Sequence, residues 1–392
     1  MIVSRTSILD NSLLWFGAGI SIAEILTGML FAPLGFARGL LAIFIGHIIG
    51  GTLMYFAGLI GGRTGKSAMQ TVAISFGQRG ALFFAGLNVI QLIGWTAVMI
   101  TSAAAAANVL AGMGITIWSI IIGGLIALWV LMGLNTLGKV NVVVIAALLI
   151  LTFVLSFVAF QGAMGAASGD MSFGSAVELA VAMPLSWLPL ISDYTRTAQK
   201  PKMATVASCG AYFIASCWMF IIGMGAALYT GQDDMAAIML QAGLGLAGIL
   251  VVLLSTVTTT FLDVFSAGVS SRTIIPQLSE KVLALIACAV GVILAIFSEA
   301  SQFQDFLYFI GSVFAPMTAI LLTDYFILHT DHSLRHTNWL NLILWCAGFV
   351  LYRFFLEIET PVGSTFPVML FVMAGSVVLH KFVVPVFETH HV

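Results

Sequence analysis

Charge is what this sequence has least of: 8% of its 392 residues are Asp, Glu, Lys or Arg, against ~25% in an ordinary soluble domain. No charged run, proline-rich linker or low-complexity tract interrupts it, so nothing marks off a separate soluble domain. The opening residues lack the basic, apolar and small-residue succession of a cleaved signal peptide, and the first apolar segment is therefore expected to stay in the protein. Cysteine is nearly absent. The four present, Cys209, Cys217, Cys288 and Cys346, lie in apolar stretches without C-x-x-C spacing or a nearby histidine pair, which reads as small core residues rather than disulfides or metal ligands. A formal net charge of −2 gives no reason to expect nucleic acid as a partner.

What is there is apolar: 60% of the residues are hydrophobic and the mean hydropathy is +1.11. Runs of ~20 such residues span a bilayer, and about twelve occur, near 12–36, 39–62, 79–107, 116–134, 138–160, 175–194, 204–230, 242–272, 281–298, 303–328, 338–356 and 365–387. The expected protein is all-α, one integral domain over 1–392 in a lipid bilayer. Twelve spans put both termini on one side, and the loops on that side then hold 12 of the 14 Lys and Arg, leaving Arg38 and Arg353 on the other. The positive-inside rule makes the termini cytoplasmic and places the chain in the inner (plasma) membrane as a multi-pass protein.

Two of the 16 acidic residues sit in mid-span, Glu24 in the first and Asp263 in the eighth; the others fall at span ends or in loops. No Lys or Arg shares the interior with either. A carboxylate at mid-bilayer costs ~3 kcal/mol, so each needs a cation, a proton or a solute N–H, and such residues are read first as functional. Protonation with hydrogen bonds to neighbouring helices is the structural alternative. Gly17, Ser21, Glu24 and Gly28 share one face of span 1, and Thr256, Thr259, Thr260, Asp263, Ser266 and Ser270 form a stripe on span 8. Such faces belong against a cavity, although Gly17 and Gly28 taken alone are better explained by close helix packing.

Span 6 carries Pro184 and Pro189, and span 1 carries Gly17, Gly19, Gly28 and Pro33. Each proline removes a backbone donor in mid-membrane and frees a carbonyl. Interrupted helices at matching positions of two halves point to a transporter's central site. Spans 1 and 6 are five apart, which divides the chain into two five-helix halves of opposite topology, 12–160 and 175–328, followed by two additional helices at 338–387. On span 3, Asn88, Gln91 and Trp95 share a face. An indole beside a carboxamide suits a flat heteroaromatic solute, stacked on Trp95 and hydrogen-bonded by Gln91; helix-to-helix bonding is the competing use.

Two motifs carry less. Gly61-Gly62-Arg63-Thr64-Gly65-Lys66-Ser67 imitates a phosphate loop, but Ile60 stands where that motif needs glycine and no strand precedes it, so it reads as a basic turn. His329, His332 and His336 lack a cysteine or acidic partner that would complete a metal site, and His390 and His391 are terminal. A membrane-embedded enzyme would need a nucleophile-base constellation or an H-E-x-x-H cluster in the spans, and neither is present. A channel fits poorly with interrupted helices around a mid-membrane acid pair.

Across essentially its full length the chain resembles the nucleobase:cation symporter-1 family of cytosine, purine and related permeases. The resemblance rests on Trp15 to Gly35, on Gly61 to Gly77 with Thr64-Gly65 and Ser75-Phe76-Gly77, on Ser192-Asp193-Tyr194-Thr195-Arg196, and on Thr258 to Gly268. Within the family, the segment from Ser21 to Gly28 is similar to the hydroxymethylpyrimidine (thiamine-precursor) permeases. The resemblance implies the five-plus-five leucine-transporter-type fold with discontinuous helices 1 and 6. It implies a sodium site formed by the Ala23 and Leu26 carbonyls with Ser255, Thr258 and Thr259, and substrate contacts at Trp95 and Gln91. Trp187 is the nearest match to the family's helix 6 tryptophan. The chain departs at Asp263, where the family often has asparagine, and at Glu24, which has no acidic counterpart in its familiar members. The expected function is import of a small aminopyrimidine, foremost hydroxymethylpyrimidine, alternatively cytosine, a purine or another nucleobase. Coupling to Na+ or H+ is expected, with no cofactor, and Asn88, Gln91, Trp95, Trp187, Glu24 and Asp263 at the solute.

Overall fold

A computed structural model describes residues 5–160, 170–231, 245–297 and 303–383, with the backbone alone for 134–141. The outer ends of spans 8, 9 and 12 (242–244, 298 and 384–387), the Lys139 side chain, His390 and His391 lie outside the described residues. Span 1 is two helices, α1 (Ile8–Gly19) and α2 (Ile22–Met29), bent by 46° at the break. Then come α3 (Phe36–Thr64), α4 (Ala68–Ala111), α5 (Ile115–Met132) and α6 (Leu134–Ala159). Span 6 is α7 (Phe173–Ser186) and the short α8 (Ile191–Thr195), separated by a turn at 187–190. The chain continues through α9 (Pro201–Thr230), α10 (Gly245–Ile274), α11 (Glu280–Phe297) and α12 (Phe303–Leu322) to α13 (Trp339–Phe355) and α14 (Thr365–Val378).

Among the described residues nine helical segments are long and apolar enough to cross a membrane, ten when the bent α1–α2 pair counts as one. The apolar helices α13 and α14 lie where spans 11 and 12 are expected: α13 has 17 residues, a little under the ~20 that a perpendicular crossing takes, and α14 runs on as a π-helical segment at Leu379–Val383, up to the last described residue. Outward faces remain apolar: Phe157 is 79% exposed, Val350 66% and Ile286 50%. Such surface suits hydrocarbon, where every backbone polar group must be satisfied within the protein.

Packing sorts the helices into two bodies. The first joins α1 and α2 to α9, α9 to α3, and α3 to α7 and α8; the second joins α4 to α10, α11 and α5. Small residues let backbones touch in the first body. A Cβ at Gly28 would strike the Phe220 carbonyl, and one at Gly223 the Ile25 carbonyl, so α2 and α9 meet glycine against backbone. The packing role expected for Gly28 is thus observed. Glycine is also required at Gly77, where φ of 73° breaks α4 and the amides of Gln78 and Arg79 are released to the carbonyls of Arg335 and His336.

Three carboxylates at span ends are buried and structural. Glu178 accepts from the Tyr352 hydroxyl, the Thr365 hydroxyl (2.6 Å) and the amides of Ser364 (2.6 Å) and Thr365 (2.8 Å), tying α7 to the first turn of α14. Four donors, three of them at the N-terminus of α14 and the fourth on α13, offset the cost of burying that carboxyl. Asp193 accepts from the Ala68 amide at the start of α4 (2.8 Å), and Asp324 from Asn341 (2.8 Å). Their positions are as the sequence places them; their burial is not foreseen there.

Gly223→Val would force α9 away from α2. Overpacking costs ~1–3 kcal/mol, and contact with backbone rather than a movable side chain puts this site at the upper end. Thermal unfolding of the purified protein should show a clear fall in Tm, whereas Gly124→Val, with open space around its Cβ, should leave it unchanged; equal melting of both variants contradicts the packing.

Candidate functional site

The two helix breaks meet in the interior. After α1 the chain turns at Ile20, and the Ser21 hydroxyl caps α2 by accepting from the Glu24 amide (3.3 Å). That start of α2, with the side chains of Ser21, Ala23 and Glu24, forms one wall of a small cavity. Ser186 and Trp187 at the end of α7 form the second, Trp95 of α4 the third, and Thr259 and Asp263 of α10 the fourth, with Met99 and Met183 closing the remaining space. About 10 Å³ is left, room for one water. A ring-sized solute enters only when the walls part.

Four of the expected solute-binding residues therefore converge: Glu24, Trp95, Trp187 and Asp263. Trp187 is held edge-on by the buried Trp15, with ring centroids 5.3 Å apart, and Trp95 by Phe306 at 5.5 Å. Asp263 is 3% exposed, and among the described residues its carboxyl makes no hydrogen bond and no ion pair. It is the carboxyl in this wall left to take a partner from the cavity.

Asn88 and Gln91 are used differently. The turn at 187–190 leaves carbonyls of span 6 without their helical donors. The Asn88 amide donates to the Pro189 carbonyl (3.0 Å) and to Ser270 (2.8 Å), and Gln91 donates to the Ser186 carbonyl (3.1 Å) and to Asn88 (3.1 Å). Both sit behind the cavity wall, clamping the break. Gln91 Oε1 is buried and accepts from none of the described residues.

Sequence reasoning passes over the residues that hold Glu24. The hydroxyls of Tyr212 and Ser216, one turn apart on α9, lie 2.7 and 2.8 Å from its two oxygens. Ser216 Oγ also lies 2.6 Å from His47 Nε2, and His47 Nδ1 lies 2.8 Å from the Ile43 carbonyl. A carbonyl only accepts, so Nδ1 carries hydrogen. Ser216 has one hydrogen for its two contacts. If it goes to Nε2, Glu24 must donate to Ser216; if it goes to Glu24, Nε2 must be protonated. Both contacts are hydrogen bonds only when the trio holds one proton beyond a neutral imidazole and a carboxylate. His47, an imidazole in mid-span 2, was the signal available in the sequence.

The expected cation ligands fall on two sides of the span 1 break. Thr259 Oγ1 reaches across to the Gly17 carbonyl (3.4 Å), while Thr258 donates to the Leu254 and Ser255 carbonyls and Ser255 to that of Val252, within their own helix. Ala23 and Leu26 lie inside α2, where the Ala23 carbonyl accepts from Thr27 (2.7 Å). The break precedes Ser21, so the carbonyl facing the span 8 hydroxyls belongs to α1 and not to Ala23 or Leu26. Lower in the stripe, Ser266 donates to the Tyr194 hydroxyl (3.3 Å), which donates to the Leu262 carbonyl (3.0 Å), and Ser270 accepts from Asn88, while the buried hydroxyls of Thr256 and Thr260 meet no partner among the described residues.

The family model described as permease for cytosine/purines, uracil, thiamine, allantoin matches residues 4–376. The cytosine permease of Escherichia coli (strain K12) is 24% identical over 352 residues, which covers 88% of this chain and 84% of that protein. Among solved structures, the nucleobase-cation-symport-1 family transporter Mhp1, closed with bromovinylhydantoin bound, superposes with a TM-score of 0.81 at 19% identity, covering 97% of this chain and 94% of that one. A substrate-bound, outward-open Na+-coupled sialic acid symporter superposes at 0.71 with 12% identity, over 97% and 91% of the two chains. The fold is thus the leucine-transporter type, with its interrupted spans 1 and 6.

Asn88→Leu removes the donor to Pro189 and leaves a buried carbonyl unpartnered, which costs ~1–3 kcal/mol. Thermal unfolding should register that loss in Asn88→Leu and much less in Asn88→Gln if the longer amide still reaches; unchanged melting of Asn88→Leu contradicts the clamp.

Proposed function

Because the chain belongs to the nucleobase:cation symporter family of permeases, and is accordingly a multi-pass membrane transporter and not an enzyme, we propose that it imports a nucleobase-type aminopyrimidine by cation-coupled alternating access. The observation that carries this reading is the Asp263 carboxyl, buried without a protein partner in a wall that also presents Trp95 and Trp187. A flat heteroaromatic ring lies against the indoles, and its exocyclic amino group donates to Asp263. Gln91 Oε1 is a further acceptor once the walls part. Similarity to a cytosine permease supports cytosine ahead of hydroxymethylpyrimidine, which the segment from Ser21 to Gly28 keeps as the second solute to test.

For the coupling ion, Na+ takes oxygen ligands, and the Gly17 carbonyl with Ser255, Thr258 and Thr259 are the groups that would hold it once the hydroxyls turn. The proton shared by Glu24, Ser216 and His47 favours a second reading, in which H+ is the coupling ion. In either case the two bodies rock about the cavity. The reading places the chain in the plasma membrane with both termini cytoplasmic, supported by the 12 basic residues that a twelve-span arrangement puts on one side.

Uptake of labelled cytosine and labelled hydroxymethylpyrimidine into vesicles containing the purified protein, under an inward Na+ gradient, an inward H+ gradient or neither, tests this directly. Gradient-dependent accumulation of cytosine is expected; accumulation of hydroxymethylpyrimidine alone moves the solute to the thiamine precursor, and accumulation of neither sinks the reading. Trp95→Ala and Asp263→Ala should each cut uptake about tenfold or more, the loss expected when a ring contact or a charge-assisted hydrogen bond is removed. With H+ as the coupling ion, His47→Phe should abolish uptake driven by the H+ gradient; with Na+ as the ion, uptake driven by the Na+ gradient should survive the substitution.

A further inference from the structure

The two motifs that function does not absorb are brought face to face. The basic turn after α3, with Arg63, Thr64 and Lys66, and the turn after α12, with His329, line a cavity of about 360 Å³ on the Lys- and Arg-rich side of the molecule. Its wall also holds Tyr325 and Phe326. The Arg63 side chain, exposed on this face, sets its guanidinium over the Phe326 ring, 5.8 Å from its centroid, which aligns the charge with the cavity wall. The ion pairs among the described residues are Arg196–Glu280 and Arg272–Glu280; Arg63 and Lys66 enter none. Asp331 is the one acid on the rim, and its carboxylate is engaged by the Ser333 amide at 2.8 Å. Two cations against one acid leave the space positive; the Thr64 hydroxyl is spent on the Ile60 carbonyl (2.8 Å).

An apolar strip leads away from it. Phe326 packs on Phe56 with centroids 5.3 Å apart, and Phe56 and Ile327 are 37% and 49% exposed on the outer surface. Between helices at the basic face of a membrane protein, a positive cavity opening onto apolar surface matches a phosphate head with acyl chains.

We propose that this cavity between α3 and the turn after α12 binds a phosphate group, that of an anionic phospholipid, with Arg63 and Lys66 on the phosphate and the chains along Phe56 and Ile327. Arg presents a planar donor fork to phosphate oxygens and Lys a point charge. The turn that fails as a nucleotide loop for want of a strand and a glycine still supplies the charges for a lipid phosphate. This site is separate from the solute cavity and stands whichever solute or coupling ion is found.

The full-length protein, purified in neutral detergent and stripped of lipid, is titrated with phosphatidylglycerol, with phosphatidylcholine and with inorganic phosphate, reading Tm and lipid retention by native mass spectrometry. Phosphatidylglycerol should raise Tm and be retained while phosphatidylcholine does neither, and the Arg63→Gln/Lys66→Gln double variant should bind it about tenfold more weakly or worse. Inorganic phosphate should compete in the wild type; if it alone reproduces the full Tm shift, the source is a soluble phosphate and the lipid assignment is overturned. Equal phosphatidylglycerol binding by wild type and double variant, or none by the wild type, overturns the site. The single variants Arg63→Gln and Lys66→Gln are measured alongside, so that a folding defect in the double variant does not decide the outcome.

Discussion

Inside a bilayer there is no water to finish a hydrogen bond, and the architecture follows from how this chain finishes the bonds freed where spans 1 and 6 break. At span 6 the carbonyls of Ser186 and Pro189 are met by Gln91 and Asn88. At span 1 Ser21 caps the restarted helix and Thr259 meets the Gly17 carbonyl. Gln91, Asn88 and Thr259 each donate from one packed body to the other, while the Ser21 cap is local to span 1. The side chains that make the breaks tolerable thus also hold the bodies together around the cavity. Movement of one body against the other must exchange these bonds, and the closed cavity of about 10 Å³ shows the arrangement in which they are made.

Buried carboxylates divide along the same principle. Glu178 and Glu24 are each held by two or more hydrogen-bond partners, Asp193 and Asp324 by at least one. Asp263 alone among these has no hydrogen bond to a described residue while lining a cavity. An unpaired buried acceptor is costly, and a protein that retains one where a solute must bind gains a strong interaction when the donor arrives. Glu24 is different in kind: its oxygens are taken by Tyr212 and Ser216, and its contribution runs through the proton shared with His47.

Much of this was legible in the sequence because the membrane imposes simple rules. Apolar runs located the spans, the glycines and prolines located both interruptions, and the scarcity of charge singled out Glu24 and Asp263. What the sequence obscured were contacts between distant helices. Nothing in the spacing of Asn88 and Gln91 distinguishes a solute ligand from a clamp on a broken helix, since both uses ask for a carboxamide on an inward face. Which span 1 carbonyl meets the span 8 hydroxyls, Gly17 here rather than Ala23 or Leu26, depends on where Ser21 caps the restarted helix, a register that resemblance alone leaves open. His47 carried a usable signal, an imidazole in an apolar span. The burial of Glu178, Asp193 and Asp324 carried none, because span-end acids usually reach water. Helices α13 and α14 match the expected apolar runs in place.

The account turns on one cavity, and a structure of the protein determined with cytosine bound interrogates it most directly. It predicts density for the ring against Trp95 and Trp187, with the exocyclic amino group within hydrogen-bond distance of the Asp263 carboxyl. Density for cytosine elsewhere, or in that cavity with the amino group turned away from Asp263, would contradict it.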